Sequence, residues 1–178
     1  MSLDGFVAGP QGEMDWMMRT RSPEGVAWVE KTLWDAGAHL LGRRSYGDFA
    51  GFWPTADGPL AEPMNTIPKI VFSRSGSLAI KPTTAPGWDD PRVLGSDLAA
   101  DIAALKAEPG KDLLAHGGAS FARALVRLGL VDEYRLGVHP VVLGSGHSLF
   151  DGAAPFDLTL VEATTFPAGT QALVYRPK

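Results

Sequence analysis

Apolar positions along the chain recur with two different periods and predict alternating helices and strands. Ser22-Pro23-Glu24 reads as a helix start, with a hydroxyl to cap, proline at the first helical position and an acid in the first turn. Val26, Val29, Leu33 and Ala36 then follow at helical spacing. Residues 38–41 form a short apolar run suited to a buried strand, and a second helix is expected to begin at Ser45 and reach Phe49. Residues 69–72 and 92–94 read as strands, and Leu98, Ile102 and Leu105 mark a helix after Ser96-Asp97. A strand over 112–116 leads into a helix with Phe121, Leu125 and Leu128 inward and Gly129 as its stop. The last third changes character: residues 134–143, 158–165 and 172–175 read as strands with no long helix between them. That pattern implies an α/β fold, a mainly parallel central sheet with helices on both faces, finished by antiparallel C-terminal strands. The stretches 54–68 and 81–91, rich in Pro, Gly, Ala and Asp, read as surface connections or lids.

Three apolar runs end in residues suited to holding phosphate. They are Gly42-Arg43-Arg44-Ser45, Ser73-Arg74-Ser75 and His116-Gly117-Gly118-Ala119-Ser120. In an open α/β sheet, ligands bind outside the carboxyl ends of the strands, so such tips can converge on one ligand. A Gly-Gly turn opening a helix offers backbone N–H groups and a positive dipole end to an anion. Arginine forks suit a further phosphate. Each tip has a plain alternative, a tight turn or a pair of solvated arginines. Their shared position after apolar runs favours a dinucleotide with an extra phosphate.

Composition narrows the field. At 178 residues the chain reads as one domain over 1–178, with 45% hydrophobic and 20% charged residues. A formal net charge of −4 lacks the basic footprint of a nucleic-acid binder. The absence of cysteine excludes disulfides, thiolate metal sites and a cysteine nucleophile. No apolar run nears the ~20 residues of a membrane span, and no secretory leader is visible, so the expected location is cytoplasmic.

Several motifs fail on inspection. Gly144-Ser145-Gly146 begins a dinucleotide fingerprint, but Leu149 stands where the third glycine belongs, and the stretch reads as a loop. Residues 118–122 miss the last glycine of a nucleophile elbow, which argues against a serine hydrolase using Ser120. The four histidines show no metal-ligand spacing, so no metal is expected. His39 reads as packing within a strand, whereas His116 is placed either to face a ligand or to fill the core. Asp4 reads as a turn former. Asp15 and Glu24 lie near the start of the first helix, where dipole and capping roles compete with roles as proton donor or substrate anchor. Trp16, Trp28, Phe49 and Trp53 are candidates for a pocket wall or for plain core.

Taken together, residues 2–9 (Ser-Leu-Asp-Gly-Phe-Val-Ala-Gly), Leu41 to Tyr46, Val71 to Arg74, His116 to Gly118 and residues 138–146 resemble the dihydrofolate reductase-like superfamily. The closer likeness is to stand-alone relatives of the reductase domain of the bifunctional riboflavin-biosynthesis deaminase/reductase, and it covers nearly the whole chain. The resemblance implies NADPH as cofactor. Val7 and Ala8 match the loop beside the nicotinamide, and Arg43, Arg44 and Ser45 match residues at the cofactor phosphates. Ser73 and Arg74 match the 2′-phosphate contacts, and Gly117, Gly118, Ala119 and Ser120 match the pyrophosphate turn. It also implies a homodimer. The chain departs from riboflavin-pathway reductases at His116, where they carry Glu, and at Phe6, where they carry Lys or Arg. The pterin-binding carboxylate of dihydrofolate reductase aligns near Gly25, one position from Glu24.

The expected activity is reduction of a small pyrimidine- or pterin-like heterocycle by NADPH. His116, Glu24 and Asp15 are the candidate catalytic residues. A protein that binds NADPH or a heterocycle without turnover is the alternative. Because the first strand of such folds sits between others, the natural chain is also expected to begin about 5–10 residues upstream of Met1.

Overall fold

A computed structural model describes residues 1–78 and 84–178. In chain order the elements are β1 (Phe6–Ala8), α1 (Pro23–Asp35), β2 (Ala36–Gly42), α2 (Arg43–Phe52), α3 (Ala61–Thr66), β3 (Lys69–Phe72) and β4 (Arg92–Leu94). They continue with α4 (Leu98–Ala107), β5 (Asp112–Ala115), α5 (Ala119–Arg127), β6 (Tyr134–Val138), β7 (His147–Ser148), β8 (Leu158–Thr165) and β9 (Gln171–Pro177). The chain forms two compact units, one of residues Met1–Val26 with Ala122–Lys178, the other of Ala27–Phe121.

The second unit carries a four-stranded parallel sheet in the order β4-β3-β2-β5. A parallel strand covered on both faces is apolar on both, which is how β2 reads: Ala36, Ala38, His39, Leu40 and Leu41 are all buried. Leu41 and Val71 pack with Leu33, Tyr46, Met64 and Trp88 in the core of this unit. Two parts of that core lie where the composition suggested surface connections. In 54–68, α3 buries Pro63 and Met64; in 84–91, Trp88 is 1% exposed, donates from Nε1 to Asn65 Oδ1 and accepts the Tyr46 hydroxyl at its carbonyl. Proline and glycine shaped the chain path there without keeping it at the surface. Residues 81–83 of the second expected connection lie outside the described residues.

The first unit holds an antiparallel sheet, β6-β9-β8, and the two-stranded pair β1-β7. Val126, Tyr134 and Leu149 centre its core. The strand expected over 134–143 stops at Val138, because Pro140 brings no N–H and His139 instead makes a parallel bridge to Ser2. The following loop is held by Asp4, whose carboxylate accepts from the N–H groups of Leu143 and Gly144 at 3.1 and 2.7 Å. Asp4 thus anchors a distant loop rather than only its own turn.

Helix ends follow the local chemistry. Ser22 Oγ accepts from Gly25 N–H, and Asp97 Oδ1 accepts from Ala99 and Ala100 N–H. At the end of α5, Gly129 (φ +64°) donates to Val126 and Leu130 donates to Leu125, the two bonds of a Schellman stop. No helix among the described residues is long and apolar enough to cross a membrane.

Candidate functional site

Because β2, β3 and β5 run parallel, their carboxyl ends emerge on one edge of the sheet. Gly42, Ser73 and His116 follow directly from those ends, so the three phosphate-suited tips share that edge.

The β2 tip differs from its expected form. The helix begins at Arg43, two residues before Ser45, so Arg43 and Arg44 open the first turn of α2 rather than sitting on a loop. Gly42 occupies the cap without a side chain to accept from the first N–H groups, and the first turn holds no acid. Two guanidiniums therefore stand at the positive end of a helix dipole, where cations are disfavoured and an anion is stabilised. Both are exposed, and neither pairs with an acid among the described residues. Ser45 is buried, and no described residue bonds its hydroxyl.

The β5 tip packs against the β2 tip. Gly117 and Gly118 both have positive φ, +74° and +79°. A methyl built on Gly117 would sit 2.7 Å from Phe49 Cζ, and one on Gly118 would sit 2.5 Å from Ser45 Oγ. Both glycines are thus required twice, by conformation and by the approach of α2. The first turn of α5 closes with Phe121 N–H donating to Gly118, which leaves the N–H groups of Ala119 and Ser120 without intrahelical acceptors. Two helix N-termini consequently open side by side on this edge. Ser120 is exposed, and no described histidine bonds its hydroxyl.

At the β3 tip, Ser73 is 3% exposed and its hydroxyl is engaged internally, donating to the Ser77 carbonyl at 2.6 Å with Ser75 Oγ at 3.0 Å. Ser73 therefore shapes the turn, and Arg74 is the exposed cation the turn presents, with no acid partner among the described residues. Gly95 (φ +129°) lies against the Ser73 backbone, and its N–H donates to Asp101 Oδ2 at 2.8 Å. The approach of Gly95 to Ser73 crosses between neighbouring strand ends, so the sequence alone does not show it.

His116 closes the β5 run. Its Nε2 lies 2.9 Å from His39 Nδ1, and His39 Nε2 lies 3.2 Å from the Pro63 carbonyl. Phe49 tilts over the His116 ring at 5.8 Å between centroids, and Trp53 meets Phe49 edge-on. Burial pushes His39 down to about 4 and His116 down to about 3, and the Lys69 ammonium disfavours a further charge on either ring. His116 is thus a neutral imidazole, with one N–H, at pH 7. Lys69 itself is 4% exposed, donates to the Asn65 carbonyl at 2.8 Å and lies over the Trp88 ring; burial lowers it to about 8. The His39 partnership was missed because the two histidines are 77 residues apart in sequence.

Val7, Ala8, Asp15, Trp16 and Glu24 belong to the first unit, and Trp28 to the second. Val7 and Ala8 lie in β1, with Ala8 buried. Asp15 opens a 3₁₀ turn and Glu24 the first turn of α1; both are exposed at positions where an acid complements the helix dipole. Trp16 is a core residue, edge-on to His139 and donating to the Glu13 carbonyl.

Comparison with known proteins gives the same frame. The chain is 32% identical to the uncharacterized protein YyaP of Bacillus subtilis strain 168, over 98% of this chain and 90% of that one. A candidate riboflavin biosynthesis protein from Shewanella sp. PV-4 shares the fold at a TM-score of 0.74 and 20% identity, covering 100% of this chain and 95% of that one. Dihydrofolate reductase from Enterococcus faecalis, complexed with NADP(H), shares it at 0.60 and 15% identity, covering 100% and 92%. The parallel sheet with its antiparallel companion is therefore the dihydrofolate reductase-like fold. The RibD C-terminal domain family matches residues 1–172, almost the full length, and the chain belongs to that family.

Proposed function

We propose that the protein is an NADPH-dependent reductase of a small heterocyclic substrate. The observation that carries this reading is the carboxyl edge of the parallel sheet. There, two helix N-termini and three guanidiniums, none paired with an acid among the described residues, come from separate strand ends. Such an edge is electrostatically incomplete without an anion, and more than one phosphate is needed to meet all three tips.

The residues fit the cofactor. The first turns of α2 and α5, with Ser45, would hold the pyrophosphate; Arg74 would take the 2′-phosphate; Arg43 and Arg44 would add charge to either. When bound, NADPH supplies the hydride, and the protein contributes orientation and a shaped, dry pocket. Family membership and the NADP(H)-bound relative of the same fold support the choice of cofactor. Pyrimidine- or pterin-like compounds are the proposed substrates. A homodimer is proposed as well; exposed Leu160 and Val161 on β8, the edge of its sheet, support a further partner there.

The test is calorimetric titration with NADPH and NADH, then incubation with pterins, lumazines and flavin precursors while nicotinamide absorbance is followed. Preference for NADPH and its consumption with one of these acceptors is the expected result. Equal affinity for the two nucleotides would remove the argument from the arginines. Binding without consumption by any acceptor would favour a non-catalytic binding protein.

A further inference from the structure

We infer that His39 and His116 form a two-ring relay that fixes the His116 Nδ1 atom as a bare hydrogen-bond acceptor, so that the compound held there presents an N–H or O–H donor. The Pro63 carbonyl can only accept, so the 3.2 Å contact places the proton of His39 on Nε2. A neutral His39 then offers a lone pair at Nδ1. The 2.9 Å contact requires the facing atom, His116 Nε2, to be the donor. A neutral imidazole carries one N–H, so His116 Nδ1 is left with its lone pair and no proton.

The opposite assignment needs a doubly protonated His39. That ring is 0% exposed, sits opposite Lys69 in the β2–β3 register and faces no carboxylate among its bonded partners. A second cation beside the Lys69 ammonium is disfavoured on both counts. His39 makes both its bonds inside the protein and acts only through His116, so it is a positioning residue.

The outer atom is available. No described residue bonds His116 Nδ1, and it is not among the sealed, unsatisfied polar atoms of the described residues. Phe49 against one side of the ring and His39 at its edge hold its orientation. A ligand carbonyl at this point would oppose one lone pair with another, whereas a lactam N–H would satisfy it. The identity of the ligand as a heterocycle rests on the reductase reading above; the tautomers do not. His116 is by this account a reader of donor groups, and a proton needed in the reaction comes from elsewhere.

The first arm of the test uses ¹⁵N-histidine NMR on the full chain without ligands. Both rings should appear as neutral Nε2–H tautomers at pH 7 and stay so at pH 5. His39→Leu removes the acceptor, and His116 should then become a mixture of tautomers with a pKa nearer the ordinary value. His39→Gln keeps an acceptor and a donor at about the same spacing and should restore the single tautomer. A cationic ring, or His116 protonated at Nδ1 in the wild type, overturns the relay whether or not the variants fold.

The second arm compares lumazine with 1,3-dimethyllumazine, which lacks its N–H donors, by fluorescence titration with and without NADPH. Lumazine should bind about tenfold tighter or more, the worth of one hydrogen bond to a buried site. The difference should vanish in His116→Phe. Equal affinity, or binding of neither compound, overturns the ligand half of the inference. NADPH titrated in parallel separates the two readings. Failure to bind NADPH with the tautomers as stated defeats the reductase, while NADPH binding with the wrong tautomers defeats the relay.

Discussion

The parallel unit treats positive charge in opposite ways at its carboxyl edge and within its packed face. At the edge, Arg43, Arg44 and Arg74 stand exposed, without an acid partner among the described residues. Within the face, Lys69 is buried on the Asn65 carbonyl and the Trp88 ring, and the neighbouring histidines are held neutral. Water solvates an exposed guanidinium at little cost, so an edge can keep several ready for an anionic ligand. Inside, one ammonium already strains the site, and further protons are excluded. The lesson is that the same residue class serves as charge at the edge and as fixed hydrogen-bond geometry within.

Gly117 and Gly118 join the two regions, and breaking that joint should give the largest effect. Gly117→Ala forces a methyl into the Phe49 ring at a left-handed φ, which should cost about 2 kcal/mol or more. The urea midpoint should fall accordingly and NADPH binding should be lost with it. An unchanged midpoint would show that the turn can open away from α2.

Acid sharpens the contrast next. His39 and His116 titrate lower in the folded protein than in the unfolded chain, so their contribution is complete above the unfolded pKa of about 6.5 and is lost as pH falls toward 4. Each histidine that stays neutral costs about 1.4 kcal/mol of stability per pH unit in that window. Urea denaturation at several pH values should show the slope, and His39→Gln, which leaves His116 in place, should about halve it. A pH-independent midpoint between 7 and 5 would mean that the rings protonate freely.

At the edge, Arg74→Ala should weaken NADPH by about ten- to hundredfold, the range expected for hydrogen bonds to a charged group. NADH, which lacks the 2′-phosphate, should bind as before, and thermal stability should not change. Parallel loss of both nucleotides would move Arg74 from the 2′-phosphate to the pyrophosphate.

The smallest effect should come from an ion pair with water on both sides. Arg92 and Glu108 meet at 2.8 Å with about half of each side chain exposed, and Glu108→Gln should cost about 0.2–1 kcal/mol, less at high salt. A larger loss in urea denaturation would mean that exposed charges in this unit matter more than the edge arginines imply.

The sequence by itself determined what depends on neighbours in the chain. Ser22, Asp97 and Gly129 cap or stop helices through bonds that reach at most five residues, so their roles could be read directly. The apolar runs of β2, β3 and β5, and the phosphate-suited residues after each, were legible for the same reason, as was the fold class they imply. Even there the start of α2 was placed late, because a cap with no side chain leaves no local mark. Only the tertiary structure decided which long-range partners complete each group. Pro63, Met64 and Trp88 became core because Tyr46 and Asn65 meet Trp88, although the local composition suggests a surface loop. Ser73 turned inward because Ser77 accepts its hydroxyl, leaving Arg74 as the exposed group. His116 acquired a fixed tautomer because parallel pairing sets β5 beside β2 and so brings His39 to it. Whether a histidine is an acid, a base or a neutral acceptor depends on what surrounds each ring nitrogen, and those surroundings exist only once strands distant in sequence have paired.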